Sequence, residues 1–153
     1  MYAVVQVRGV VKTRRDIKDT LKMLRLHHIN HCVLVPDTPE NLGMIRKVKD
    51  YVAYGEVDAP TVETLLQTRG KVLGDAPLTE EYLKTNSTYA SINEFAQALA
   101  SGETKLRDVP GLKPVLRLHP PRKGHKTTKR TFVQGGALGY YGQEINTLLY
   151  KMR

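Results

Sequence analysis

From Val109 to Gln143 the chain carries seven Lys or Arg residues and not one Asp or Glu. This stretch includes the run from His119 to Arg130 and is broken repeatedly by Pro and Gly. Like charges repel, and so basic a segment with few apolar anchors cannot fold around itself. It must lie on a scaffold built elsewhere and face a dense anionic partner, for which nucleic acid is the commonest choice. The formal charge is +9, and residues 109–153 hold nine basic side chains against one acid. Residues 1–108 hold fifteen basic and fourteen acidic side chains. Within them Met1–Arg25 is also basic, with seven cations and two acids, whereas Asp50–Asp108 has five cations and ten acids. Two positive ends flank an acidic middle. If the ends meet in space they form one basic face.

The scaffold is within reach of 153 residues, 41% of them hydrophobic, as one domain or one domain with an appended element. Without Trp and with only two Phe, its core is aliphatic. The single Cys32 excludes an intramolecular disulfide and suits a reducing compartment. Met1–Arg8 has no basic n-region before its apolar residues and no cleavage signature, and no stretch approaches the roughly 18 apolar residues of a membrane span. The expectation is a cytoplasmic protein with no membrane partner.

Periodicity places the elements. Tyr2–Arg8 alternates as a strand stopped by Gly9. Thr13 and Asp16 have capping-box spacing. Beyond them Ile17, Leu21, Leu24 and His28 share one helix face, and Arg15, Lys18, Lys22 and Arg25 form a second, cationic stripe. Such a stripe is ordinarily a solvated surface, but this one has no acid on its own face; Asp16 and Asp19 are assigned to the first turn, against the helix dipole. Cys32–Val35 is a buried strand ended by Pro36. Thr38-Pro39-Glu40 opens a helix with inner face Leu42, Ile45, Val48 and Val52. Tyr51–Val57 is a third strand broken by Gly55. Helices follow at Thr61–Arg69, Thr79–Leu83 and Ser91–Ala100, with a short strand at Lys71–Leu73. Pro114–His119 is the last strand, Gly135–Gly142 a flexible stretch, and Glu144–Met152 a closing helix.

Other chemistries lack their spacing. His27, His28, His31 and Cys32 cluster, but in no pattern that converges zinc ligands. Gly124-His125-Lys126-Thr127 lacks the adjacent Gly-Lys-Ser/Thr and the earlier glycine of a phosphate-cradling loop, since His125 separates Gly124 from Lys126. No nucleophile–base set and no carboxylate pair stands out, so neither a cofactor nor catalysis is expected. Nucleic-acid binding survives. Arg122, Lys123, Lys126, Lys129 and Arg130 are spaced to reach successive phosphates, Thr127 and Thr128 can donate to phosphate oxygens, and Gly124 turns the backbone. Tyr140 and Tyr141 can stack on a base or pack against the closing helix. RNA is favoured over DNA because the basic element is a loop and not a recognition helix.

Thr20–Val48 carries a specific pattern: Thr20-Leu21, Leu24, Leu26, Asn30, Asp37-Thr38-Pro39, Gly43-Met44-Ile45 and Lys47-Val48. It resembles the L-thirty family of large-ribosomal-subunit proteins. Leu65–Gly70, Leu116–Lys126, Val133–Gly136 and Leu148–Arg153 resemble the longer archaeal form, related to eukaryotic L-seven, so the likeness spans the chain. The resemblance implies an α+β fold, a β-α-β-α-β ferredoxin-like core with an antiparallel sheet, followed by a helical insertion, a C-terminal strand, a basic loop and a helix. Residues 1–58 would be the rRNA-binding core and 59–153 an extension packed on it. It implies a non-enzymatic constituent of the large subunit that binds and stabilises large-subunit rRNA near the 5S rRNA docking region, beside neighbouring ribosomal proteins. The rRNA-facing residues it implies are Lys12, Arg14 and Arg15, with Lys18 and Lys22 behind them, and the loop Arg122–Arg130, His125 included. Asp37-Thr38-Pro39 is expected to cap a helix, since aspartate repels phosphate. The rival is a small-molecule-binding regulatory domain whose pocket the acidic segment 50–108 would frame.

Overall fold

The computed structural model describes all 153 residues. Its elements are β1 (Tyr2–Gln6), α1 (Arg15–Met23), β2 (His31–Val35), α2 (Pro39–Lys47), β3 (Val52–Glu56), α3 (Ala59–Arg69), α4 (Glu80–Asn86), α5 (Ile92–Ser101), β4 (Leu116–Arg117), β5 (Gly139–Tyr140) and α6 (Ile145–Met152). The strands form one sheet in the order β4-β2-β1-β3-β5. β1 lies at its centre, antiparallel to β2 with Val5 opposite Cys32, and antiparallel to β3 with Gln6 opposite Val52. The α+β, ferredoxin-like core is therefore present. A helix between antiparallel neighbours requires the chain to come back to the end it left. α1 carries it away and Leu24–Asn30 returns it, with the Asn30 N–H donating to the Gln6 carbonyl at 2.8 Å.

Both faces of β1 are covered. Val4 joins Leu21, Leu24, Leu26, Val33, Val35, Ile45, Val48 and Val52 in a nine-residue cluster under α1 and α2. Ala3 and Val5 point the other way, into a 27-residue cluster that includes Leu65 and Leu66 of α3, Phe95 and Leu99 of α5, and Ile145 and Leu149 of α6. Alternation along a strand separates the two sets. The acidic segment thus supplies helices whose apolar sides close the second layer, with α3 packed most extensively on α5.

Several local expectations change. No side chain caps α1; Arg14 is its N-cap, and Thr13 and Asp16 do not form the expected box. The helix ends at Met23, so Arg25 leaves the stripe in a left-handed conformation (φ 61°), and exposed His28 yields its expected core position to Leu26. α2 starts as its residues dictate, with Pro39 at the first turn and Thr38 Oγ1 accepting from the Asn41 N–H. Gly55 does not break β3. A Cβ there would strike the Gly142 carbonyl, so glycine serves close approach of two backbones. α3 begins at Ala59 with Pro60, which makes Thr61 a buried helical residue and not a cap. Lys71–Leu73 makes isolated bridges and no strand. The last strand shrinks to Leu116–Arg117 because Pro114 has no N–H for the ladder. The glycine-rich stretch contains β5, which runs parallel to β3 with Tyr140 opposite Tyr54, so the sheet is not wholly antiparallel. No helix is long and apolar enough to cross a membrane.

α6 is stitched to the β3–α3 junction by Asn146, a buried polar residue. Its Nδ2 donates to the carbonyls of Glu56 (3.2 Å) and Gln143 (2.9 Å), and its Oδ1 accepts from the Asp58 N–H (3.1 Å). Replacing Asn146 with Ala strands three backbone groups. Urea unfolding should show a loss of roughly 2–3 kcal/mol, against well under 1 kcal/mol for a surface control such as Gln67→Ala. Burial pushes the Cys32 thiol from its ordinary 9.0 up to about 12. The unfolded chain therefore releases this proton first, and the contribution present below pH 9 is lost as pH rises towards 12. At pH 8 iodoacetamide should label Cys32 only at the rate of unfolding; rapid labelling of the native protein would contradict its burial.

Candidate nucleic-acid interface

The strand register decides where the cations go. Gln6 ends β1 beside Val52, where β3 begins, and close to His31, where β2 begins. Arg117 ends β4 opposite His31, and Gly139 opens β5 opposite Ala53. One end of the sheet thus receives the β1–α1 connection, the α2–β3 connection and the whole passage from β4 to β5. That passage runs from one sheet edge to the other and contains the basic loop. Lys12, Arg14 and Arg15 therefore arrive at the same end of the sheet as Arg122–Arg130, although more than half the sequence separates them. All three are exposed, as are Arg122, Lys123, Lys126, Lys129 and Arg130. The two basic segments emerge at the same end of the sheet, one leading into α1 and the other tied to α6.

The loop is more tightly built than its composition suggests. The Arg122 N–H donates to the Lys151 carbonyl, Gly124 to Pro121, Ala137 to Thr127 and Leu138 to Arg130, at 2.9, 2.9, 2.9 and 3.3 Å. Pro121 is buried, and Phe132 stacks on Tyr141 with ring centroids 4.1 Å apart. These are the apolar anchors that the sequence reading did not identify. Gly136 sits so close to the Arg130 carbonyl that a Cβ would collide with it. Beneath the loop lies a cleft of about 400 Å³, bordered by Gly124, His125, Lys126 and Lys151 and by one carboxylate, Glu144. Partial burial lowers the pKa of His125, which favours its neutral form; it offers a hydrogen bond there and not a charge.

Lys18 and Lys22 do not sit at that end. α1 runs away from it: Asp16 lies 3.9 Å from Lys47, where α2 leads into β3, while Met23 and Leu24 line a groove with Val35 and Pro36. Lys22 is thus about 10 Å along the helix from Arg15. Nor is the stripe free of acids, because the Asp19 carboxylate lies 3.8 Å from Arg15 Nε. Asp16 pairs with Arg14 at 3.1 Å. These are exposed pairs that contribute little and leave the cations able to exchange partners.

Tyr140 stands apart as well. Its hydroxyl donates to Glu56 Oε1 at 2.6 Å, and its ring lies 5.5 Å from that of Tyr54. That hydrogen bond, with some burial, pushes its pKa up to about 12. Half of the ring remains exposed. Tyr141 is the partner of Phe132 and takes the packing role.

Further cations not named as site residues reach the same end: Arg8, Lys47, Lys49, Arg117, Lys151 and Arg153, all exposed. Arg8 lies over the Tyr51 ring and Arg153 over Tyr150, each 5.5 Å from the centroid. Arg8 lies within the basic N-terminal block and Arg117, Lys151 and Arg153 within the basic C-terminal one, while Lys47 and Lys49 follow Arg46; the antiparallel register gathers all of them at one end. Asp50 is the one further carboxylate in these connections. In the acidic segment, the cleft bounded by Asn86–Tyr89, Thr104, Asp108 and Val109 has two apolar residues, poor material for orienting a small organic ligand.

Residues 2–52 match the family model described as ribosomal protein L30p/L7e. The chain is 86% identical to the large ribosomal subunit protein uL30 of Methanoregula boonei, 74% to that of Methanocorpusculum labreanum and 56% to that of Archaeoglobus fulgidus. Each alignment covers 100% of this chain and 100% of its relative. The chain belongs to the L30p/L7e family of ribosomal proteins.

Proposed function

We propose that this chain is a structural, non-catalytic constituent of the archaeal large ribosomal subunit in the cytoplasm, and that it binds rRNA with the cationic end of its sheet. The observation that carries this reading is the delivery of two distant basic segments to that one end. Lys12, Arg14 and Arg15 approach from the α1 side and Arg122–Arg130 from the α6 side, so phosphates of two RNA strands can be held together there despite their repulsion. Lys18 and Lys22 extend the contact down α1. Gly124, His125 and Thr127 add backbone and side-chain donors between the loop cations, and the exposed half of Tyr140 offers a stacking surface at the sheet edge. Residues 1–58 serve as the rRNA-binding core and 59–153 as an extension packed on it. Within the subunit, family membership favours rRNA and other ribosomal proteins as neighbours, and the region where 5S rRNA docks is the placement we infer.

The test is binding of the full chain to a large-subunit rRNA fragment across a salt series. Affinity should fall by about 0.7–0.9 log units per log unit of salt for each phosphate neutralised. Arg122→Ala, Lys123→Ala and Lys126→Ala combined should flatten that slope by roughly 2–3 and leave the circular-dichroism spectrum unchanged. A wild-type affinity indifferent to salt would reject phosphate contact as the mechanism. Gly136→Ala separates loop shape from loop charge: affinity should drop several-fold while the salt slope stays at the wild-type value, because no cation is removed.

A further inference from the structure

The outer edge of β2 is left half-paired. Cys32 opposes Leu116 of β4, and the ladder stops there. Residues of an antiparallel strand turn their N–H and C=O alternately to the two sides. Cys32 faces β4, so Leu34 faces outward with it, and its N–H and C=O have no backbone partner. Position 114, which would pair with Leu34, is proline. The preceding Lys113 donates instead to the Lys71 carbonyl at 2.8 Å and draws the chain away. The gap is a groove of about 230 Å³ whose apolar walls include Met23, Val33, Val35, Met44, Leu106 and Pro114. Met23 is 69% exposed. Every charged residue lining it is a cation, namely Arg25, Lys105 and Arg107, and no Asp or Glu takes part.

An unpaired edge residue beside an apolar groove is what an extended peptide uses to add itself to a sheet, with main-chain hydrogen bonds for affinity and side-chain pockets for specificity. Met side chains adapt to varied occupants. The cationic rim selects for negative charge. Pro36 has no N–H, and its carbonyl already accepts from the Thr38 N–H and from Asn41 Nδ2, both at 3.0 Å, so pairing cannot propagate past Val35. We propose that this groove docks a short, extended, acidic segment of another protein, which pairs with the backbone of Leu34 and places an apolar side chain between Met23 and Met44. It lies away from the cationic end of the sheet and is independent of rRNA binding there.

The experiment titrates the ¹⁵N-labelled full chain with acetyl-Glu-Val-Glu-Val-Glu-amide, with its lysine counterpart, and with a single-stranded RNA oligonucleotide. The acidic peptide should shift the amides of Leu34, Arg25 and Arg107 and slow hydrogen exchange at Leu34 at least about tenfold, and the lysine peptide should do neither. Arg25→Gln with Arg107→Gln should weaken the acidic peptide at least about tenfold while lowering rRNA affinity by no more than about threefold; Met23→Ala, which alters no charge, should weaken the peptide several-fold and leave rRNA affinity unchanged. No protection of Leu34 by the acidic peptide, or equal protection by the lysine peptide, overturns the proposal. So does protection of the Leu34 amide from exchange by RNA alone, which would make the groove a nucleic-acid surface.

Discussion

A central strand buried on both faces governs this molecule. Ala3, Val4 and Val5 are wholly inaccessible, and each packs into one of two clusters according to its parity along β1. A slip of one residue would exchange the two faces and put the larger core's contacts under α1 and α2. The register with β2 and β3 is therefore strongly held, and with it the identity of the sheet end where each connection emerges. At roughly 25 cal/mol per Å² of apolar surface, burial of this kind outweighs any surface ion pair present, whose typical contribution is about 0–1 kcal/mol.

That hierarchy explains why the protein can carry +9 charges and still fold. The apolar layers set the topology, and the topology concentrates the cations at one end while the acidic helices α3–α5 close the second layer. Repulsion among Lys12, Arg14, Arg15 and the loop cations is tolerated because the anchors lie beneath them: buried Pro121, the Phe132–Tyr141 stack and the hydrogen bonds from Arg122 and Gly124. In the proposed rRNA contact, phosphate would offset a repulsion that packing already withstands.

The β-α-β-α-β order, the Thr38-Pro39 start of α2 and the apolar side of α6 were legible in the sequence because local periodicity and capping chemistry determine them. So was the basic loop, since charge runs need no folding to be seen. What stayed hidden depends on contacts distant in sequence. β5 forms because Gly139 and Tyr140 find β3 across 86 residues, and no pattern in a glycine-rich stretch announces that. Asn146 reads as an ordinary polar position in a helix until it is set against Glu56 and Asp58. Arg8, Lys49 and Arg117 sit among cations in the sequence, but that they share one end of the sheet follows only from the register. For Lys18 and Lys22 the helical spacing was legible, but the direction of α1, which carries them away from that end of the sheet, was not.

The two cationic segments share one more property. Each turns on a lysine in the left-handed region, Lys12 at φ 55° and Lys123 at φ 70°. An L-residue with a Cβ holds that conformation at a cost of about 1 kcal/mol or more relative to glycine. Lys123 is followed by Gly124 at the same sign of φ (70°), so a glycine stands one position away from the charge. Nothing in the core requires a lysine at either turn, since both side chains are exposed. Folding alone would favour glycine at both positions; a lysine there projects its charge from the tip of the turn, where a phosphate can approach without displacing the scaffold. Backbone strain and charge thus coincide at these two exposed turns without a packing reason for lysine, which is the arrangement the proposed rRNA contact calls for.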